Sequence, residues 1–228
     1  MIIAEHLSKS YGRGRPVLED LSLSAPPGEV TLLVGANGVG KTTTLRLLSG
    51  LARPDGGDAF IGGFSLCNAR PQAQQQLSYL PQGVAFHPQL TCQAVLEFYA
   101  GLRGITESQA RVAKLLRMVG LESEAKKRTH ALSGGLRQRL GLAVLLLPDA
   151  PVLMLDEPGL SLDPEWRGRL KEVLQSEARR GKAVLVATHL LAEWEGEAGR
   201  ALQMLPGGEA AEIDPFRLRE AFSMESPR

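Results

Sequence analysis

One stretch restricts the folds open to this 228-residue chain more than any other. A short, mostly apolar run, Val30-Thr31-Leu32-Leu33-Val34, feeds directly into Gly35-Ala36-Asn37-Gly38-Val39-Gly40-Lys41-Thr42. Apolar residues without alternation suit a strand buried on both faces. Thr42 to Ser49 then reads as a helix stopped by Gly50. The loop between them matches the phosphate-cradling pattern G-x-x-x-x-G-K-T at every fixed position. Glycines let a backbone wrap an anion with its N–H groups turned inward, and Gly35, Asn37, Gly38 and Gly40 fall in that cradle. Lys41 adds a point charge for the β- and γ-phosphates of a nucleotide, and Thr42 offers a hydroxyl to Mg²⁺. The positive end of the following helix faces the same anion. Thr42, Thr43 and Thr44 are mediocre helix formers. Propensity does not account for them, whereas hydroxyl chemistry does.

The remaining chain alternates strand and helix patterns around one interruption. The start reads as β structure, with Val17 to Ser24 alternating from Leu21 before Pro26-Pro27-Gly28. Asp58 to Phe64, near glycine turns, and Leu77 to Leu80 read as further strands, the latter ending at Pro81-Gln82. Thr91 caps an expected helix carrying Val95, Leu96, Phe98, Tyr99 and Leu102. Thr106 with Gln109 fits a capping box for a second helix, through Val119 to Gly120. Ser133 caps a third, Gly135 to Leu147. Val152 to Leu155 is then a buried strand, Asp163-Pro164 opens a helix closed by Gly181, and Ala183 to Ala187 is the next strand. These patterns predict an α/β fold: a mainly parallel sheet in a P-loop core, an N-terminal antiparallel β subdomain and an inserted helical subdomain. A single domain over 1–228 is expected, with 1–82 and 149–228 forming the core and 83–148 the helical insertion.

Several polar residues fall just past expected strand ends, where open α/β sheets bind ligands. Asp156 and Glu157 end an apolar strand, and desolvating two carboxylates is costly without a purpose. Neighbouring strand residues point to opposite faces, so the two are expected to differ in role. Asp156 suits the Mg²⁺ shell through a water; Glu157 suits the group that orients or deprotonates an attacking water. His189 ends the next strand within reach of the same chemistry, although a lone histidine there also reads as a hydrogen-bonded structural residue. Gln82, an uncharged donor and acceptor, is placed to touch both Mg²⁺ and water. Tyr11, beside Gly12-Arg13-Gly14, reads equally as a stacking platform for adenine or as a half-buried turn aromatic. Ser133-Gly134-Gly135 opens a helix and forms a second concave set of N–H groups. It lacks a lysine and a Mg²⁺-binding hydroxyl, so it suits half of a site that the first loop begins. If the two halves cannot meet within one chain, two chains must pair head-to-tail around two ATP molecules.

Composition narrows the function classes. Lys plus Arg is 26 against 25 for Asp plus Glu, which argues against nucleic acid as a partner. Cys67 and Cys92 have no Cys-x-x-Cys spacing and read as reduced thiols. The N-terminus meets acidic and polar residues at once, unlike a signal peptide. The longest apolar stretch, Leu140 to Leu147, stops at Pro148, well short of the roughly 20 residues that span a bilayer.

Taken together, these motifs resemble the nucleotide-binding subunit of an ATP-binding cassette (ABC) transporter. The resemblance covers nearly the whole chain in order: Tyr11, the loop Gly35–Thr42, Gln82, the signature Leu132-Ser133-Gly134-Gly135, the Walker B segment Val152–Glu157, the D-loop Asp163 and the switch His189. It implies an ATPase that binds ATP and Mg²⁺, with Glu157, Gln82 and His189 catalytic and Thr42, Gln82 and Asp156 at the metal. It implies that Ser133, Gly134, Gly135 and Asp163 meet nucleotide across a dimer of this chain or of this chain with a homologous subunit. It further implies an integral-membrane permease partner and a cytoplasmic position on the inner face of the membrane. Gln89-Leu90-Thr91 leading to Leu96–Leu102 is similar to exporter-type ATPases paired with ABC-2 permeases. Pro81-Gln82 to Pro88-Gln89-Leu90 is similar to the ATPases that serve copper-site maturation of nitrous oxide reductase. An importer ATPase, or a soluble cassette of the Fe–S assembly type, are the alternative readings. One departure stands out: relatives often carry Thr-Ser-Gly after the Walker B proline, where this chain has Gly159-Leu160-Ser161.

Overall fold

The computed structural model describes residues 1–12, 16–106 and 108–218. Two sheets organise them. Strands β1 (Ile2–Lys9), β2 (Leu18–Ala25), β4 (Gly56–Ile61) and β5 (Phe64–Ser65) form an antiparallel sheet in the order β2-β1-β4-β5. Strands β3 (Val30–Val34), β6 (Leu77–Leu80), β7 (Val152–Asp156), β8 (Ala183–Thr188), β9 (Arg200–Met204) and β10 (Ala210–Ile213) form the second, ordered β10-β9-β3-β8-β7-β6. Its pairings are parallel except the β10–β9 hairpin. The segment expected as one strand from Asp58 to Phe64 is broken, because Gly62 and Gly63 turn the chain with φ of 59° and 88°. The short helices α2 (Arg70–Gln75) and α7 (Leu191–Trp194), and the strands β9 and β10, carry no signal strong enough to be expected in advance.

The continuous apolar runs have a direct cause: the larger sheet is covered on both faces. Along β7, Val152 and Met154 pack with α1 (Lys41–Leu48) and the antiparallel sheet, while Leu153 and Leu155 pack with the opposite layer. Along β8, Ala183, Leu185 and Ala187 face the first layer, and Val184 and Val186 the second. The second layer contains α6 (Pro164–Arg179), which buries Trp166, Leu170, Leu174 and Ala178. It also contains three helices inserted between β6 and β7: α3 (Cys92–Leu102), α4 (Ser108–Met118) and α5 (Gly134–Leu146). Thr91 accepts a bond from the Ala94 amide at 3.1 Å and so caps α3. The cap expected at Thr106 runs through Glu107, which lies outside the described residues. Arg111 of α4 donates to the carbonyls of Leu146 and Leu147, closing the end of α5. No described helix is long and apolar enough to cross a membrane. Cys67 is exposed and Cys92 buried, both as free thiols.

Candidate functional site

Strand register gathers the site. Val34 pairs with Thr188, Ala187 with Asp156, and Leu155 with Leu80, so the carboxyl ends of β3, β8, β7 and β6 are level. The residues that follow them therefore meet at one edge. Tyr11, Asn37, Gly38, Gly40, Lys41, Thr42, Thr43, Gln82, Glu157 and His189 line a single cleft of about 610 Å³, joined by Val17 and Leu160. Gly40 is the N-cap of α1 with φ 115°, and a Cβ there would come within 2.9 Å of Leu18. Only glycine lets the loop turn so tightly into the helix against β2.

Lys41 is 6% exposed. Its Nζ donates to the carbonyls of Gly35 at 2.8 Å and Ala36 at 3.0 Å, so the loop is wrapped around its own lysine. An ammonium has three protons, which leaves one for the cleft. Burial lowers the Lys41 pKa, against the opposing pull of Glu157 and Asp156. Asp156 is 1% exposed, and its pKa is raised, chiefly by burial and then by repulsion from Glu157, while the Thr42 hydroxyl bond opposes the rise. Tyr79 Oη donates to Asp156 Oδ2 at 3.5 Å, whereas Asp156 Oδ1 is buried without a hydrogen-bond partner. Burial first, and then Asp156, push the Tyr79 hydroxyl pKa upward, so it stays a donor. An orphaned buried carboxylate oxygen beside a hydroxyl fits a hydrated divalent cation. Among the described residues no cluster of three or more His, Cys, Asp or Glu could hold a metal. One carboxylate and one hydroxyl suit Mg²⁺, which keeps waters and phosphate oxygens as its other ligands.

Glu157 departs from the simple strand picture. Alternation of faces stops at Asp156, where β7 ends, and Glu157 takes a left-handed backbone with φ 49°. The turn aims its side chain at the end of β8. Oε1 lies 2.8 Å from His189 Nδ1, and Oε2 accepts from Thr188 Oγ1 at 3.3 Å and from the His189 amide at 3.4 Å. A carboxylate only accepts, so Nδ1 carries the proton of that pair, leaving Nε2 as the ring's other position. Thr188 and Tyr79 were not among the expected site residues. Thr188 gives no signal beyond preceding His189, and Tyr79 none beyond sharing the strand that leads to Gln82. Arg13 and Gly14, beside Tyr11, lie outside the described residues.

Ser133, Gly134, Gly135 and Asp163 do not line the cleft. Ser133 Oγ accepts from the Leu136 amide at 3.3 Å and caps α5, leaving the Ser133–Gly135 turn exposed or half-buried. Asp163 spends a carboxylate oxygen on the Trp166 amide at 2.9 Å, capping α6. The two phosphate-binding turns therefore do not meet within one chain.

The family model described as ABC transporter matches residues 18–159, which span the cleft loop, the signature turn and both carboxylates. The chain belongs to the ABC transporter family. As a cassette of this family it binds ATP and is an ATPase. It is 38% identical over 216 residues to Nod factor export ATP-binding protein I of Paraburkholderia xenovorans, covering 94% of this chain and 71% of that protein. It is 32% identical over 197 residues to linearmycin resistance ATP-binding protein LnrL of Bacillus subtilis, covering 86% of this chain and 63% of LnrL. The cassette also superposes, with a TM-score of 0.86 and 24% identity, on a dimeric ATP-binding cassette solved in a post-hydrolysis state bound to ADP and Pi; 94% of this chain and 99% of that one are covered. That likeness identifies the fold as a P-loop cassette.

Proposed function

We propose that this cassette hydrolyses ATP in a head-to-tail dimer and drives a separate membrane permease that exports its cargo. The observation that carries this reading is the division of phosphate-binding groups. Lys41, Thr42 and Glu157 share one cleft, while the Ser133–Gly135 turn is presented away from it. A second copy, or a homologous subunit, supplies the missing turn to the γ-phosphate. The structural neighbour that is a dimer supports the arrangement.

In the proposed reaction Tyr11 stacks on adenine, and the amides of Gly35 to Gly40, with Lys41 and Thr43, hold the phosphates. Thr42, Asp156 and Gln82 would hold Mg²⁺, which would supply positive charge against the phosphates. Glu157 accepts a proton from water as the water oxygen bonds to the γ-phosphorus and the bond to the ADP oxygen breaks. His189 fixes the Glu157 carboxylate through Nδ1 and turns its other nitrogen to the γ-phosphate. Asp163 and the Gly159–Ser161 segment lie at the dimer seam. Residues 83–148 act as the helical subdomain that receives the permease. Its apolar groove of about 380 Å³, formed by Phe86, Leu90, Val95, Phe98 and Tyr99, suits a short helix on the permease's cytoplasmic face. The export direction follows the named exporters among the relatives.

Ser133→Arg tests the division of the site. The arginine blocks the signature turn without touching the cleft. Binding of a fluorescent ATP analogue by the monomer should stay within about twofold, and phosphate release should fall at least 100-fold, on the order of losing one oxyanion-stabilising group. Unchanged phosphate release would overturn the head-to-tail reading.

A further inference from the structure

Between the signature helix and the helix that follows the D-loop lies a joint that the reaction scheme does not use. Trp166, three residues beyond Asp163 on α6, is 9% exposed. The guanidinium carbon of Arg139, on α5, sits 3.7 Å from the centre of its ring. Arg169 lies 4.9 Å from the same ring and pairs with Glu165 at 2.8 Å. Arg139 also donates from Nε to the Val119 carbonyl at 2.8 Å and from Nη2 to the Gly120 carbonyl. Gly120 ends α4 with φ 59°, and a Cβ there would come within 2.6 Å of both Arg139 Nη2 and Trp166. Glycine is needed here to leave room for the stack. The end of α4, the middle of α5 and the start of α6 thus meet at one indole ring.

A second contact lies about one turn nearer the start of α5, where the signature turn meets the loop that leads into α6. A Cβ on Gly135 would stand 2.9 Å from the Ser161 carbonyl oxygen, and one on Gly134 would stand 3.6 Å from Ser161 Cβ. The signature turn therefore presses directly on Ser161, in the loop between β7 and α6. Two cationic groups converging on one ring are costly unless desolvated attraction and carbonyl bonds hold them, and burial lowers the Arg139 pKa while Asp163 supports its charge. This arrangement is more than filler for a helix junction.

We propose that Trp166 is a positioning residue. Its stack with Arg139 holds α5 against α6, so that Ser133-Gly134-Gly135 and Ser161 form one rigid face, built before a second cassette's nucleotide arrives. Neither Trp166 nor Arg139 lines the cleft of its own chain. The joint acts through α5, which begins at the signature turn, and through Asp163, which caps α6. This proposal rests on the head-to-tail reading for its function, and on the stack alone for its structural part.

The test uses the full chain carrying Glu157→Gln, with and without Trp166→Ala or Trp166→Phe. Phenylalanine keeps an aromatic face for Arg139, so it also serves if the alanine variant folds poorly. Amide hydrogen exchange is first followed in the nucleotide-free protein. Trp166→Ala should speed exchange at Leu136 and Arg137, at the start of α5, about tenfold or more, while Thr43 and Thr44 stay unchanged and Trp166→Phe restores most of the protection. ATP-driven association is then followed by analytical ultracentrifugation. Trp166→Ala should weaken it about tenfold, with affinity for a fluorescent ATP analogue unchanged and the phenylalanine variant recovering most of the association. Unchanged exchange at Leu136 and Arg137 overturns the positioning role whatever the association shows. Faster exchange in a Glu157→Gln parent that stays monomeric at saturating ATP supports the joint and overturns the head-to-tail dimer instead.

Discussion

Replacing Glu157 by glutamine isolates its charge from its shape. Glutamine fills the same space and keeps one oxygen to accept the His189 Nδ1 proton, while its NH2 stands where Oε2 accepted from Thr188 Oγ1 and the His189 amide and can only donate to the threonine oxygen. The variant therefore keeps most of the local geometry, without the carboxylate charge. It loses the ability to take a proton from water, a role worth roughly 100- to 10,000-fold in rate. Phosphate release should fall by at least about 100-fold. ATP affinity should stay equal or rise, because removing an anion beside Lys41 leaves more of its charge for phosphate. Glu157→Gly is the structural control. The left-handed backbone at φ 49° costs a side-chain-bearing residue about 1–2 kcal/mol, which glycine recovers. Against this stand three lost hydrogen bonds, about 0.5–1.5 kcal/mol each, and about 0.5–1 kcal/mol of extra chain entropy. The losses outweigh the gain by up to about 4.5 kcal/mol, so the melting temperature should fall, by about 2–4 °C per kcal/mol, while hydrolysis is lost. Phosphate-release kinetics and thermal unfolding measure both. A glutamine variant with kcat within tenfold of the parent would refute the role of Glu157 as base. A glycine variant melting higher than the parent would refute the stabilising role of the three bonds to Thr188 and His189.

Two further outcomes follow from the site and its frame. Lys9 Nζ lies 5.6 Å from the Tyr11 ring, fixing one face of an exposed aromatic; Tyr11→Ala should weaken ATP binding about 2- to 12-fold by titration with a fluorescent analogue, with kcat nearly unchanged. Asp149, in a left-handed backbone before β7, accepts from Lys182 at 2.5 Å, and that bond, acting with Lys182 and Arg180 charge, holds its pKa below 3.8. A depressed carboxyl pKa adds stability that is present above about pH 4 and is lost as pH falls through the folded value. Asp149→Asn, which tolerates the same backbone, should lose about 1 kcal/mol at pH 7, discounted for its 43% exposure, and show a flatter decline in urea-measured stability from pH 5 to pH 3.

Much of the frame was legible because it rests on local chemistry. The runs at Val30–Val34, Val152–Leu155 and Ala183–Ala187 read as buried strands because both faces of each strand pack against apolar layers. Thr91, Ser133 and Asp163 read as caps because a short oxygen-bearing side chain reaches the third amide beyond it. The break at Gly62-Gly63 was not legible, since a pair of glycines also occurs beside strands without splitting them. Nor was the left-handed turn at Glu157, because glutamate carries no local preference for it. Its cost is sustained by the bonds to Thr188 and His189, which come from a strand about thirty residues away.

The sequence by itself determined the family, the phosphate-binding loop and the residue types at each strand end, because loops, caps and two-faced burial are written over short distances. Only the tertiary structure decided how those pieces meet. Parallel register levelled four strand ends and joined Glu157 to His189, while the same packing left Ser133-Gly134-Gly135 outside the cleft and closed α4, α5 and α6 on Trp166. Those contacts bring together residues far apart in the chain, and no local pattern encodes their distance or direction.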